Sequence, residues 1–405
     1  MHPKDLSISS FTYTLTEERI AQHPLANRDA SKLLVYSNGQ ISDDTFVNLA
    51  NHMPAESLIV FNTTRVVRAR LQLQRSTGAA IEIFCTDAAD TSKNFSQTLQ
   101  EKKSVRISAF VGNAKRWKDD EELILKTESF TLRAIKLAPS ADQWQIELHW
   151  SPEEITFAEI LDSIGKIPLP PYMKREEEIE DGERYQTIFA KTEGSVAAPT
   201  AALHVTPEVL HTLEDKAVSS CSVTLHVGAG TFKPVKSNTM QEHEMHRELV
   251  IVTREVVETL LGSIDSGITA VGTTSLRTLE SIYWFGRQLV LQPGQFRSTL
   301  FVDQWEPYEQ GPEVPTKVAL RAVAEWMREY NLSEVSGYTQ ILIAPGYRFR
   351  IVNRLVTNFH QPQSTLLLLV AAFIGQDYRK VYDHALGHNY RFLSYGDSSL
   401  LSRND

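Results

Sequence analysis

The chain has 405 residues, 42% hydrophobic and 22% charged, with a formal net charge of −9. That length suggests two or three domains around cores that need no staples, and it excludes a disordered tail, a collagen-like fibre and a disulfide mini-scaffold. The acidic balance speaks against a general nucleic-acid coat but leaves room for a local basic face.

Residues 11–60 read as a short strand, a helix near Glu17–Gln22, β-like Leu33–Tyr36, a helix over 44–52 and the strand Leu58–Phe61, an α/β beginning. From about residue 67 the texture changes to short alternating runs: Ala80–Phe84, Ser104–Ile107, Phe130–Ile135 and Trp144–Leu148. Polar turns separate them and no helical period intervenes, which predicts a small antiparallel β-barrel. After residue 153 the α/β texture returns. Strands are expected at Ser222–Val227, Ile268–Val271, Gln340–Ala344 and Arg354–Thr357, alternating with helices near 251–262, 275–285, 317–330 and 364–374. The expected class is therefore α/β: a barrel-like α/β body from residues 1–66 and 153–405, carrying an inserted antiparallel β-barrel domain over 67–152. The acid-rich run Glu176–Glu183 should repel itself and stay exposed. The longest apolar run, Leu366–Ile374, is far short of the ~20 residues of a membrane helix. Cys85 and Cys221 form no Cys-x-x-Cys pair. A soluble cytoplasmic protein with no membrane contact is expected.

Between Arg68 and Lys118, ten basic residues face four acids. Arg68, Lys102, Lys103, Lys115, Arg116 and Lys118 are thus candidates for a polyanion-binding face, with a solvated surface as the alternative.

Three strand ends run into polar or glycine-rich loops, the places where α/β sheets bind ligands. The first holds Thr224, His226, Gly228, Gly230 and Thr231. The second, Gly272-Thr273-Thr274-Ser275-Leu276-Arg277, puts three hydroxyls at a strand-to-helix junction suited to an anion. The third is Asn358-Phe359-His360. Histidines 204, 226, 243, 246 and 360 gather near these turns, the range of acid–base chemistry near neutral pH. His243 and His246 are three apart, not the four of a zinc-protease helix, and no third ligand is specified, so no metal is expected. No Gly-x-Ser-x-Gly elbow occurs.

These blocks, with Ile20–Leu25, Val60–Val66, Ile167–Tyr172, Glu183–Thr187, Gly194–Ala201 and Pro345–Phe349, resemble the S-adenosylmethionine:tRNA ribosyltransferase-isomerase family of queuosine biosynthesis, in family order along nearly the whole chain. The resemblance implies an α/β body with an inserted β-barrel. It also implies transfer of the ribosyl part of S-adenosylmethionine to 7-aminomethyl-7-deazaguanine at the wobble position of tRNA with a GUN-type anticodon. Adenine and methionine depart and epoxyqueuosine is formed. S-adenosylmethionine is then a co-substrate and no separate cofactor is needed. His226, His243 and His246 would carry the acid–base work. Tyr185, Ser195, Thr200, His204, Thr224, Gly228, Gly230, Thr231, Thr273, Thr274, Ser275, Arg277, Asn358, His360 and Asp397 would bind substrate. The sequence departs from the family pattern at Thr63, Gln340 and Asn353, where acids are usual, and in an added stretch at about 286–336. These departures leave open a paralogue with another acceptor and a non-catalytic nucleic-acid-binding relative. The added stretch reads as either a surface hairpin and helix or a cover over the site.

Overall fold

The computed structural model describes residues 2–404 except 91, 229, 231–234, 236, 238, 295, 296 and 298. Four strands, Ser219–His226, Leu58–Asn62, Ile268–Val271 and Val352–Asn358, lie side by side and parallel at the centre of a ten-stranded sheet. The middle two are buried at every residue, as strands covered on both faces must be. Leu58 and Val60 enter one core while Ile59 and Phe61 enter another on the opposite face, following the two-residue period of a strand.

Beyond this centre the sheet becomes mixed. Ser398–Ser402 pairs antiparallel to Val352–Asn358 and parallel to Lys32–Ser37, and the hairpin partner Gln40–Thr45 forms one edge. On the other side Glu248–Thr253 and Glu334–Thr339 add antiparallel, and Leu300–Val302 closes the order in parallel. Helices Arg254–Ser263, Thr273–Leu291, Thr316–Glu329 and Thr365–Ile374 fall where their periodicity predicts.

Six antiparallel strands between Arg70 and Ser151 form a separate sheet with its own apolar core. Its first and last strands in spatial order, Arg70–Gln74 and Glu122–Lys126, approach each other so that the sheet nearly closes. Arg75 bonds Glu121 at 2.8 Å beside that seam. The mixed α/β class and the small antiparallel barrel agree with the sequence reading.

Four local expectations change. Residues 17–19 and 46–52 are 3₁₀ turns rather than α-helix. The strand near residue 340 is Glu334–Thr339, and apolar Ile341–Ala344 is buried but irregular. In the acid-rich run, Asp181 is buried, because Arg175 grips both its oxygens at 2.6 and 2.8 Å and Tyr395 donates to it at 2.9 Å.

Among its described residues, the stretch 286–336 packs into the body. Helix Thr316–Glu329 packs so tightly on helix Thr273–Leu291 that a Cβ on Gly286 would sit 2.2 Å from the Ala319 carbonyl oxygen. No helix among the described residues is long and apolar enough to cross a membrane.

Candidate active site

A cavity of about 440 Å³ opens at the carboxyl ends of the central parallel strands. That volume falls within the roughly 300–1,000 Å³ of small-molecule sites. Three walls meet there: the start of helix Thr273–Leu291, the turn Thr357–His360 after its strand, and the segment Glu242–His246. The barrel contributes Asp142, at the tip of the hairpin between Thr131–Ser140 and Gln143–Ser151.

The helix wall is built for an anion. Gly272 occupies the N-cap and supplies no side-chain acceptor, so the first amides of a 19-residue helix are left to a ligand. The Thr274 hydroxyl and Arg277 Nη2 are buried without a hydrogen-bond partner. Arg277 is otherwise engaged, through Nη1 with buried Glu248 and through Nε with the Ile341 carbonyl at 3.3 Å. Across the cavity the hydroxyl of Tyr185 is buried beside Ser394 and the Ala198 backbone. Buried polar groups are normally satisfied, so these orphans mark where a polar ligand completes the site.

On the second wall, Asn358 accepts from the Thr200 hydroxyl at 3.1 Å and donates its amide to His204 Nε2 at 3.3 Å. His204 then donates from Nδ1 to the Arg28 carbonyl at 3.3 Å, which fixes its neutral tautomer. His360 meets the Thr357 hydroxyl at 2.9 Å.

The third wall carries the histidines. His243 is half-buried, and burial together with neighbouring His246 pulls its imidazole below the usual value. It is therefore neutral and basic at physiological pH. A Cβ on Gly230 would lie 1.8 Å from the His246 ring, so that ring approaches as only glycine permits. Two glutamines hold this segment. Gln304 donates to the His243 carbonyl at 2.7 Å and accepts from the Met245 amide at 2.8 Å, and Gln340 donates to the Met245 carbonyl at 2.8 Å. Gln304 belongs to the added stretch 286–336.

Of the expected site residues, Tyr185, Thr200, Gly230, His243, His246, Thr273, Thr274, Arg277, Asn358 and His360 line the cavity together. Others do not. His226 accepts at Nδ1 from Thr64 at 2.8 Å and donates from Nε2 to Ser96 at 3.3 Å, so it joins the body to the barrel. Ser195 bonds the Ala197 carbonyl and the Val227 amide, and Thr224 pairs with Thr63 at 2.8 Å. Asp397 spends its oxygens on the Lys32 amide and on Arg391, while His204 stands behind Asn358. Ser275 is buried outside the lining, as is the half-buried Gly228. Thr231 lies outside the described residues. Gln304 and Asp142 were not anticipated, since only long-range packing brings them here, whereas Glu242 and Glu244 arrive as sequence neighbours of His243. Asn353 accepts from the Ile268 amide at 2.8 Å and has a structural task.

The basic run on the barrel is largely neutralised by acids beyond its own sequence window. Arg75 pairs with Glu121, Arg106 with Glu147 at 2.7 Å and Lys103 with Glu153 at 3.0 Å. Arg68 turns inward to the Gly165 carbonyl and Glu177. Lys102, Lys115, Arg116 and Lys118 remain exposed.

Residues 8–401 match the family described as queuosine biosynthesis protein. The chain belongs to that family. It is 36% identical over 403 residues to the S-adenosylmethionine:tRNA ribosyltransferase-isomerase of Azoarcus sp. (strain BH72), and 38% identical over 404 residues to that of Aromatoleum aromaticum. Each match covers 99% of both chains. The crystal structure of S-adenosylmethionine tRNA ribosyltransferase from Thermotoga maritima aligns over 97% of this chain and 100% of that one, at 27% identity and a TM-score of 0.46.

The buried histidines of this family member carry a pH prediction. Burial pushes His204, His226 and His360 down to about 4 from 6.5. The unfolded chain therefore takes up these protons first. Stability is full above about pH 7 and falls as pH drops through 6.5 towards 4. At pH 5 each histidine can cost up to about 2 kcal/mol. Urea unfolding at pH 7.5 and pH 5.0 should show a loss of several kcal/mol; equal stability would contradict burial of neutral imidazoles.

Proposed function

We propose that this chain is an S-adenosylmethionine:tRNA ribosyltransferase-isomerase that acts in the cytoplasm. It moves the ribosyl part of S-adenosylmethionine onto 7-aminomethyl-7-deazaguanine at the wobble position of GUN-type tRNAs, releasing adenine and methionine as epoxyqueuosine forms. S-adenosylmethionine is consumed as co-substrate. The full-length identity to relatives bearing that name carries the reading. The barrel, residues 67–152, is then a domain inserted between 1–66 and 153–405, and its Asp142 tip borders the substrate cavity.

The geometry supports a division of labour. The methionine carboxylate suits the uncapped start of helix Thr273–Leu291, with the Thr274 hydroxyl and Arg277 Nη2 as donors. Glu242 and Glu244 line the same cavity and suit the sulfonium cation. His243 and His246 take the C5′ proton beside the sulfur and keep the attacking amine neutral. Thr200, Asn358 and His360 serve the nucleobase side. His226, away from the cavity, holds the body against the barrel.

On this reading Gln304 and Gln340 are positioning residues, because a base displaced by an ångström loses much of its effect. Gln304→Glu keeps the acceptor for the Met245 amide but removes the donor to the His243 carbonyl. Turnover should fall about 10- to 100-fold with KM for S-adenosylmethionine nearly unchanged; an unaltered kcat would remove the clamp from the account.

The test of the function is incubation with S-adenosylmethionine and tRNA bearing 7-aminomethyl-7-deazaguanine, following adenine and the nucleoside mass together. Adenine with an epoxyqueuosine mass is expected. A folded protein that binds S-adenosylmethionine yet yields neither product would overturn the reading in favour of another acceptor.

A further inference from the structure

Beside the main cavity lies a second, shallow cleft of about 20 Å³. Arg28, Arg184 and Arg391 rim it, and buried His204, Ser394 and Tyr395 stand among its walls. No carboxylate lines it. We propose that this cleft holds one phosphate of the tRNA backbone next to the nucleoside in the main cavity.

Charge is the first argument. Arg28 donates to the Gln186 and Glu183 carbonyls at 2.7 and 3.1 Å, and Arg184 donates to the Ala26 and Leu25 carbonyls. Among the described residues neither has a carboxylate within ion-pair distance, so backbone dipoles orient two guanidiniums without neutralising them. Burial first, and then Arg184, lower the Arg28 guanidinium from its ordinary value, against an opposing pull from the Glu183 carboxylate and Tyr395. Arg391 is anchored by Asp397 at 3.1 Å. Guanidinium forks match phosphate oxygens in geometry as well as charge.

Size and place narrow the ligand. A volume near 20 Å³ admits one or two water-sized groups, which suits the non-bridging oxygens of a phosphodiester and not a whole small molecule. Ser394 lines both cleft and cavity, and His204 in the cleft wall bonds Asn358 of the cavity. The adjoining cleft, which shares Arg184, is lined by Glu178, Glu180 and Asp181 and would repel a second phosphate. Among the described residues, the barrel's unpaired Lys102, Lys115, Arg116 and Lys118 are exposed, whereas Arg28 and Arg184 are half-buried and held in place by backbone carbonyls.

The proposal rests on the tRNA-modifying reading above. An anticodon stem-loop with a neutral methylphosphonate placed in turn at each linkage around the wobble nucleotide tests it. One linkage should weaken binding to the unaltered protein about tenfold. Arg184→Gln should weaken the natural stem-loop by a similar factor, lower the slope of log affinity against log salt by about 0.7, and make that same linkage change silent. S-adenosylmethionine affinity and the unfolding midpoint, measured alongside, should stay as they were; Arg28→Gln serves if Arg184→Gln does not fold. Unchanged affinity and slope in the arginine variant, or a linkage penalty that persists undiminished there, would overturn the cleft as the phosphate site. A wild-type protein that binds no stem-loop would instead strike at the tRNA-modifying reading itself.

Discussion

Replacing Arg277 by methionine is expected to destabilise the fold by about 3–5 kcal/mol. The Arg277 and Glu248 side chains are 7% and 5% exposed and bonded to each other, so removing the cation strands a carboxylate in a low-dielectric interior. The double variant Arg277→Met/Glu248→Leu removes both charges and should recover most of that loss. It should not recover binding of S-adenosylmethionine, because Arg277 Nη2, one of the unpartnered donors in the cavity wall, is absent from both variants. Urea unfolding and S-adenosylmethionine affinity, measured on both, separate the two roles. A single variant as stable as the parent would contradict the burial argument, and a double variant that binds normally would remove Arg277 from the substrate site.

The largest kinetic effect is expected for His243→Ala. General acid–base groups contribute about 10²–10⁴ in rate, and adenine release should fall by that factor. Burial and His246 hold His243 below the ordinary imidazole value, so protonation should abolish its function only in more acidic solution. The acid limb of kcat/KM in the unaltered protein should accordingly lie below pH 6.5. His226→Ala should act differently: its ring bridges Thr64 and Ser96, so the change should loosen the barrel's attachment and alter stability more than the pH profile. A fall of less than about threefold for His243→Ala would sink its assignment as base.

The barrel strands and Ile268–Val271 were legible because alternation and buried apolar runs are local signals. Gln40–Thr45 escaped notice: it is a mostly polar edge strand whose single apolar residue, half-buried Ile41, makes no alternating pattern. Ile341–Ala344 misled for the opposite reason, being apolar and buried without taking part in the ladder. At the site, the glycine-hydroxyl turn Gly272–Arg277 announced itself, because the residue types an anion needs stand together in sequence. His226 and Thr224 looked equivalent to it on the same grounds, and Ser195 and Asp397 were named through the family resemblance. Their hydrogen-bonding capacity is instead spent on Thr64 and Ser96, on Val227, on Thr63 and on Lys32 with Arg391. Which polar group at a strand end faces a ligand depends on what packs behind it, and apart from Arg391, six positions from Asp397, those partners lie 32 to 365 positions away. The clamp by Gln304 and Gln340 is hidden for the same reason: both act on backbone atoms of a distant segment. The basic count over 68–118 overstated the barrel's charge because Glu121, Glu147 and Glu153 fall outside that window.

The central claim is that the ribosyl part of S-adenosylmethionine, not its methyl group, reaches the tRNA. Its most direct test supplies the protein and 7-aminomethyl-7-deazaguanine tRNA with S-adenosylmethionine labelled in the ribose carbons and, separately, in the methyl group. Ribose label should appear in the wobble nucleoside while methyl label leaves wholly with methionine. Methyl label in the tRNA, or ribose label that never leaves the small-molecule fraction during turnover, would contradict it.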